Sequence, residues 1–245
     1  MTLRLDHVMI VVPDLDAAVD QYARLGFRVV PGGRHVGAGT HNALIRFGLD
    51  YLELLAIADP VEASQFEAQR RIERFASQGG GAFLYVLATD DLARDLAAAR
   101  KRGLPVEPPR RMSRRRPDGT LLQWQLGDIA PLGEAPNCPS LIQWEEPDER
   151  LAQRYAREGE VGGHPNGARR WMEIVVGVPD VKEALERYRQ AYGLEPDGDV
   201  FHVRGSTIRL QPGQGIERLV IEATQDARFP ADQACGVEIE LRRPR

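Results

Sequence analysis

RLDHVMIVVPDLDAAVDQYARLGF, residues 4–27, is the stretch on which the reading of this chain turns. Leu5 to Val12 is rich in Val, Ile and Met and has the length of a buried strand, yet it carries one imidazole, His7. Proline has no amide hydrogen for a ladder and Asp14 can cap the turn that follows, so the strand stops at Val12-Pro13-Asp14. From 14 to 25 the apolar positions Leu15, Ala18, Val19, Tyr22 and Leu25 recur at helical spacing, and Gly26 closes the helix. FRVV follows, then a glycine-rich passage, PGGRHVGAG, then two apolar runs, HNALIRF and YLELLAI, separated by a Gly-Leu-Asp turn. The predicted order is β-α-β-β-β over residues 1–59.

The unit recurs. Shifting by 166 sets WMEIVVGVPDVKEALERYRQAYG beneath the opening, with Pro179 on Pro13, Asp180 on Asp14, Ala184 on Ala18 and Tyr188 on Tyr22. Strand-like runs VFHVR, STIRLQP, ERLVIEAT and GVEIEL follow it. A weaker copy lies between, with AFLYVLAT as strand, DDLARDLAAARKRG as helix, and TLLQWQL and SLIQW as later strands. Duplication therefore organises the chain into three α+β modules, at residues 1–59, 82–147 and 169–245. Helical connectors are expected at 60–81, where Phe66, Ile72 and Phe75 share a face, and at 148–168, which ends in the turn GGHPNG.

The totals bound the class. A chain of 245 residues that is 42% hydrophobic and 28% charged suits a soluble globular protein, and a net charge of −4 predicts no attraction to nucleic acid. Cys138 and Cys235 form no metal-knuckle spacing. No window approaches the apolar length of a membrane span and no leader pattern opens the chain, so the expected compartment is the cytoplasm. No nucleophile elbow, Walker loop or dinucleotide fingerprint occurs, which argues against serine hydrolysis and nucleotide chemistry.

Paired βαβββ modules that open on a His-bearing strand, followed by PDLDAA and later YLEL, resemble the vicinal oxygen chelate superfamily. GTHNALIRFGLDYLELLAI, RRRPDGTLLQWQL and GHPNGA are similar to its glyoxalase-like domain proteins. The resemblance is strongest over residues 1–60 and continues to about 185. It implies curved mixed sheets that enclose a cavity, often around a divalent metal (Fe, Mn, Ni, Co or Zn), with ligands from the first and last strands of each module.

Carried over by position, the resemblance makes His7 and Glu53 metal ligands, and a buried carboxylate within YLELLAI needs such a partner. The residues alone also allow His7 to be a strand histidine bonded to a carbonyl, and Glu53 to face solvent. His41 completes a two-histidine, one-carboxylate set if the turn at Gly48-Leu49 has three residues. A two-residue turn sets Leu44 opposite Glu53 and sends His41 to the other side. In the third copy Glu173 falls on the His7 position, which makes it a catalytic candidate beside Glu53, and Glu222 lies near the Glu53 equivalent. These sets meet if copies one and three pair, although sequence neighbours pair more commonly. His35 reads as a residue of the cavity mouth or the solvent, and His164 as a turn residue.

Among Arg110, Arg111, Arg114, Arg115 and Arg116, Arg115 is taken as the candidate grip on an anionic substrate, the alternative being a solvated loop. Trp124, Gln143 and Trp144 are candidates for the concave wall, or, for the tryptophans, plain core. Two functions follow. One is a metal-dependent isomerase, lyase or dioxygenase acting on a small oxygenated metabolite. The other is a metal-free protein that sequesters a small molecule, as antibiotic-binding relatives do. The third copy either completes a cavity or serves the interface of a homodimer.

Overall fold

The computed structural model describes residues 3–129 and 138–244. The first unit runs β1 (Arg4–Val11), α1 (Leu15–Arg24), β2 (Val30–His35), β3 (Thr40–Arg46) and β4 (Tyr51–Ile57). After α2 (Pro60–Ala63) and α3 (Glu67–Ser77), the second unit repeats the order as β5 (Gly81–Ala88), α4 (Leu92–Lys101), β6 (Arg110–Arg115), β7 (Leu121–Gly127) and β8 (Ser140–Trp144). The helix of each unit, α1 and α4, begins where an aspartate past the strand end caps it: Asp14 accepts from Ala17 N at 3.0 Å and Asp91 from Arg94 N at 2.9 Å.

The two units close into one barrel, β1-β4-β3-β2-β6-β7-β8-β5. Neighbours in sequence pair: β1 runs antiparallel to β5, and β2 meets β6 through Arg34 opposite Arg115 and His35 opposite Arg114. Apolar residues on the outer side, such as Val8, Ile10, Leu52 and Leu54, form the main core with Ala18 and Tyr22 of α1. The inner side carries two smaller apolar groups, one around Val86, Leu122, Trp124 and Ile142 and one around Val11, Leu55 and Ile72 of α3.

The remaining chain runs through α5 (Asp148–Arg157), β9 (Ala168–Val178), α6 (Val181–Tyr192), β10 (Val200–Val203), β11 (Ser206–Pro212), β12 (Gly215–Ala223), β13 (Ala227–Phe229) and β14 (Glu238–Arg242). The turn before β9 is pinned to the barrel: Arg28 N donates to His164 Nδ1 at 3.0 Å, and His164 Nε2 donates to Arg46 O at 2.9 Å.

The last sheet differs from a third βαβββ copy. Its element order is the expected one, but β9 takes β11 as its parallel neighbour and β12 as an antiparallel one, where β1 takes β4 and β5. The order β10-β11-β9-β12-β14-β13 is that of the barrel with β2 and β6 removed, so the sheet stays open. The crossing from β11 to β12 passes directly over β9 at Gly177, where an added Cβ would lie 2.7 Å from the carbonyl carbon of Gly213. A residue with a side chain at 177 would block that short connection. Among the described residues no helix is long and apolar enough to cross a membrane.

Candidate functional site

A bulge in β1 builds the site. Against β5, Leu5 pairs with Leu87 and His7 with Val86, which leaves Asp6 without a partner of its own. The extra residue interrupts the alternation of faces. Leu5 and Val8 both join the outer core, and Asp6 and His7 both turn inward. Asp6 Oδ1 lies 2.8 Å from His7 Nδ1, while its Oδ2 accepts from Arg4 Nη1 and Trp144 Nε1, each at 3.0 Å. Burial alone raises the Asp6 acid, but Arg4, His7 and Trp144 together outweigh it and hold it at about 2. An ionised carboxylate only accepts, so His7 carries its proton on Nδ1 and turns Nε2 to the hollow.

Glu53 receives it. Its Oε2 stands 3.4 Å from His7 Nε2, and Asn42 Nδ2 donates to its Oε1 at 2.5 Å. His35, at the end of β2, brings its Nε2 to 3.7 Å from the same Oε1, with its Nδ1 held 2.9 Å from Thr40 Oγ1. All three side chains are buried. Burial pushes the His35 imidazole down to about 4, helped by the charges of Arg114, His7 and His41 and opposed by Glu53, so it is neutral near pH 7. Tyr51 stacks on His7 with ring centroids 4.8 Å apart and planes 16° from parallel.

These groups line one end of a hollow of about 110 Å³, closed on its other sides by Met9, Leu55, Phe83, Leu126 and Ile142 and covered by Ile72 of α3. Strand parity decides what β6 adds. Arg110, Met112 and Arg114 line the hollow, and Arg110 Nη2 is tied to Asp128 at 2.5 Å. Arg114 is 2% exposed, its Nε has no partner, and its side chain makes no hydrogen bond or ion pair among the described residues.

Several expected site residues lie elsewhere. The β3–β4 turn has two residues between Phe47 and Asp50, which sets Leu44 opposite Glu53 and places His41 on the other face, opposite Ala56. His35 occupies the place proposed for His41. Glu173 lies in the open sheet, not in the barrel, with its Oε2 held by Arg209 Nε at 3.1 Å. By strand register, and not by the 166 shift, which would set Leu219 there, Arg209 is the counterpart of Glu53: it opposes Val175, the residue that falls on Met9, as Glu53 opposes Met9. The imidazole and carboxylate of the barrel are thus replaced there by an ion pair that satisfies itself. Glu222 lies on β12, the counterpart of β5 rather than β4, and pairs with Arg170 at 2.5 Å.

Arg115 points out of the barrel and donates to Gly119 O at 3.2 Å. Gln143 also points out, where its Oε1 accepts from Leu92 N at 2.9 Å at the start of α4. Trp124 lines the hollow and Trp144 packs behind it at 5.1 Å. Asp6 is the inward polar residue that reading the sequence passes over, while His35 is left there at the cavity mouth or in solvent and Arg114 is named among five arginines of which Arg115 is preferred. For Arg114 a signal exists, because it shares parity with Met112, the apolar residue of β6. For Asp6 there is none, because strict alternation sends it outward.

Whether the donors suit a divalent ion is a matter of their chemistry. His7 Nε2, His35 Nε2 and the Glu53 carboxylate are each backed by a partner on the far side: Asp6, Thr40 and Asn42. That second layer is what ligating imidazoles and carboxylates require. Two bonds of about 2.1 Å to one ion at a near-tetrahedral angle span about 3.4 Å, close to the His7–Glu53 separation. As the side chains stand, no group of three His, Cys, Asp or Glu among the described residues is drawn in around a single ion. The residues fit an ion held by His7 and Glu53, with His35 the nearest third donor.

A family profile described as a glyoxalase-like domain matches residues 5–192. No curated protein matches the sequence significantly. Among solved structures, a hypothetical protein from Staphylococcus aureus is similar with a TM-score of 0.80 at 16% identity, over 99% of this chain and 100% of that one. A triple mutant of 4-hydroxymandelate synthase from Streptomyces coelicolor is similar with a TM-score of 0.54 at 15% identity, over 91% of this chain and 72% of that one. Methylmalonyl-CoA epimerase from Mycobacterium tuberculosis aligns with a TM-score of 0.43 at 23% identity, over 60% of this chain and 91% of that one.

Proposed function

The chain belongs to the glyoxalase-like domain family, with the fold of the vicinal oxygen chelate superfamily, and on that premise we propose that the barrel hollow is the active site of a metal-dependent enzyme acting on a small oxygenated metabolite. One observation carries the reading: two imidazole Nε2 atoms face the two oxygens of one buried carboxylate, at 3.4 and 3.7 Å. A bare Nε2 lone pair and a carboxylate oxygen repel unless a proton or a cation stands between them. A divalent ion on His7, Glu53 and His35, when bound, supplies a Lewis acid for adjacent substrate oxygens.

The chain's own residues do the rest. Asp6 and Thr40 fix which imidazole nitrogen faces the substrate. Met9, Leu55, Phe83 and Ile72 exclude water from it. Glu53 is the sole carboxylate of the lining among the described residues, and with both imidazole Nε2 atoms given to the ion, a proton leaving a carbon next to a carbonyl would go to a Glu53 oxygen. That inventory suits isomerase or lyase chemistry and leaves room for a dioxygenase.

The second reading is a metal-free binding protein. It is favoured by the far wall, where β5 and β8 contribute Leu84, Val86, Ser140 and Ile142 and no further ligand. Metal analysis of protein purified without chelators separates the two. The enzyme reading expects about one equivalent of Fe, Mn, Ni, Co or Zn per chain, lost in His7→Ala and reduced in His35→Ala. Metal-free protein with an unaltered melting profile after His7→Ala leaves the binding role.

A further inference from the structure

We infer that Arg114 is an anion anchor and that the hollow takes a short-chain carboxylate, with the charged end on the guanidinium and the apolar end against Met9, Leu55, Phe83 and Leu126. The inference rests on the hollow being the small-molecule site, not on its metal.

Arg114 is a charge placed where charge is expensive. It is 2% exposed on an inward position of β6, its Nε has no partner, and no carboxylate among the described residues pairs with it. Burying a guanidinium unpaired is unfavourable, whereas an apolar residue of the same volume would be buried at a gain. The other buried arginines each have an acid beside them, although Nη1 and Nη2 of Arg46 make no hydrogen bond among the described residues. Arg4 is held by Asp6 and Asp148, and Arg46 pairs with Glu160 at 2.7 Å and lies 3.6 Å over the ring of Tyr155. Arg110, the neighbouring inward arginine, is neutralised by Asp128. Among the described residues, Arg114 and Arg71 of α3 are the arginines of the lining without an acid of their own. Against these two stands Glu53. In a chain of net charge −4, the lining with three arginines and one carboxylate is a local reversal of sign.

Position adds to the argument. Arg114 opposes His35 in the pair that closes the barrel, so both project inward from adjacent strands. A carboxylate accepting from Arg114 therefore lies beside the His35–Glu53 end of the hollow, with its chain left to the apolar walls. A guanidinium matches a carboxylate in shape as well as charge. The size follows from the hollow itself: at about 110 Å³ it is somewhat smaller than the roughly 150 Å³ cavity that takes the six heavy atoms of benzene, which suits a carboxylate of about three or four carbons.

The test compares butyrate with its neutral isostere butyramide by ligand-observed NMR titration of the protein as purified, in the wild type, Arg114→Met and His7→Ala. The expected result is butyrate bound at least about tenfold more tightly than butyramide by the wild type, and equal binding of the two by Arg114→Met. His7→Ala keeps the preference, which separates an anion held by arginine from one held by a metal. If Arg114→Met does not fold, Arg114→Gln carries the same comparison, and Arg114→Lys should retain part of the preference. Failure of the wild type to bind butyrate, or a preference that survives loss of the guanidinium, overturns the inference. An Arg114-dependent preference in a protein shown to be metal-free removes the metal reading and leaves this one standing.

Discussion

Asp50 shows how one side chain sets a pH dependence. It closes the β3–β4 turn, where its carbonyl accepts from Phe47 N at 2.9 Å. Burial raises its acid to about 6, Arg4 and Arg204 pull it down, and Asp6 adds to the rise. The folded chain therefore holds this proton more tightly than the unfolded one, whose aspartate titrates at 3.8. The stability it contributes is present below about pH 4 and is lost as the pH rises through about 6. Asp50→Asn removes the charge, so its urea midpoint should exceed the wild type's at about pH 8, by the equivalent of ~1–2 kcal/mol, and match it at about pH 4. An equal gain at both values would show that the amide acts through packing and not through titration.

At the scale of the element, β2 carries the tightest geometric demand. It must present His35 inward, pair with β3, and meet β6, and it does so through a register slip between Pro31 and Gly33. Gly32 sits at the slip with its Cα over Asn42, where an added Cβ would collide with Asn42 Oδ1 and lie 2.8 Å from Cγ. Asn42 is the donor to Glu53, so strand shape and site geometry are one constraint. Gly32→Ala should displace the amide from Glu53 and cost ~1–2 kcal/mol in urea denaturation. Gly163→Ala, where a Cβ meets nothing within 4 Å, is the control and should be near neutral. Equal midpoints for the two variants would show that β2 shifts freely, and the coupling between strand and site would go.

For the whole molecule, the open sheet supports the barrel. One apolar core includes Leu5, Val8 and Leu52 from the barrel and Trp171, Ile174 and Leu219 from the sheet. Polar ties cross the same boundary: Tyr22 Oη donates to Ala234 O at 3.0 Å, Tyr192 Oη donates to Pro139 O at 2.7 Å, and the hydroxyls of Tyr85 and Tyr188 bond to each other. Removing residues 168–245 exposes that core, so a chain ending at 167 should lack a cooperative thermal transition. The intact chain should melt once, with tryptophan fluorescence and far-UV circular dichroism superimposing. Two separated transitions would show that barrel and sheet are independent units.

The repeated strand-then-helix unit is legible in the amino acids because its marks are local: an apolar run, a proline without an amide hydrogen, an aspartate that caps, and a stripe of period 3.6. His7 and Glu53 stand out for a similar reason, as single polar residues inside apolar runs. The turn at Gly48-Leu49 is open in the sequence, since two and three residues differ only in register, and the folded hairpin settles where His41 points. What decides the site is non-local. Asp6 reaches His7 only because β1 bulges against β5, some eighty residues later, and His35 meets Arg114 only where β2 and β6 close the barrel. Bulges and barrel closure are properties of strand pairs, and a single strand's pattern holds no record of the partner that will shift it.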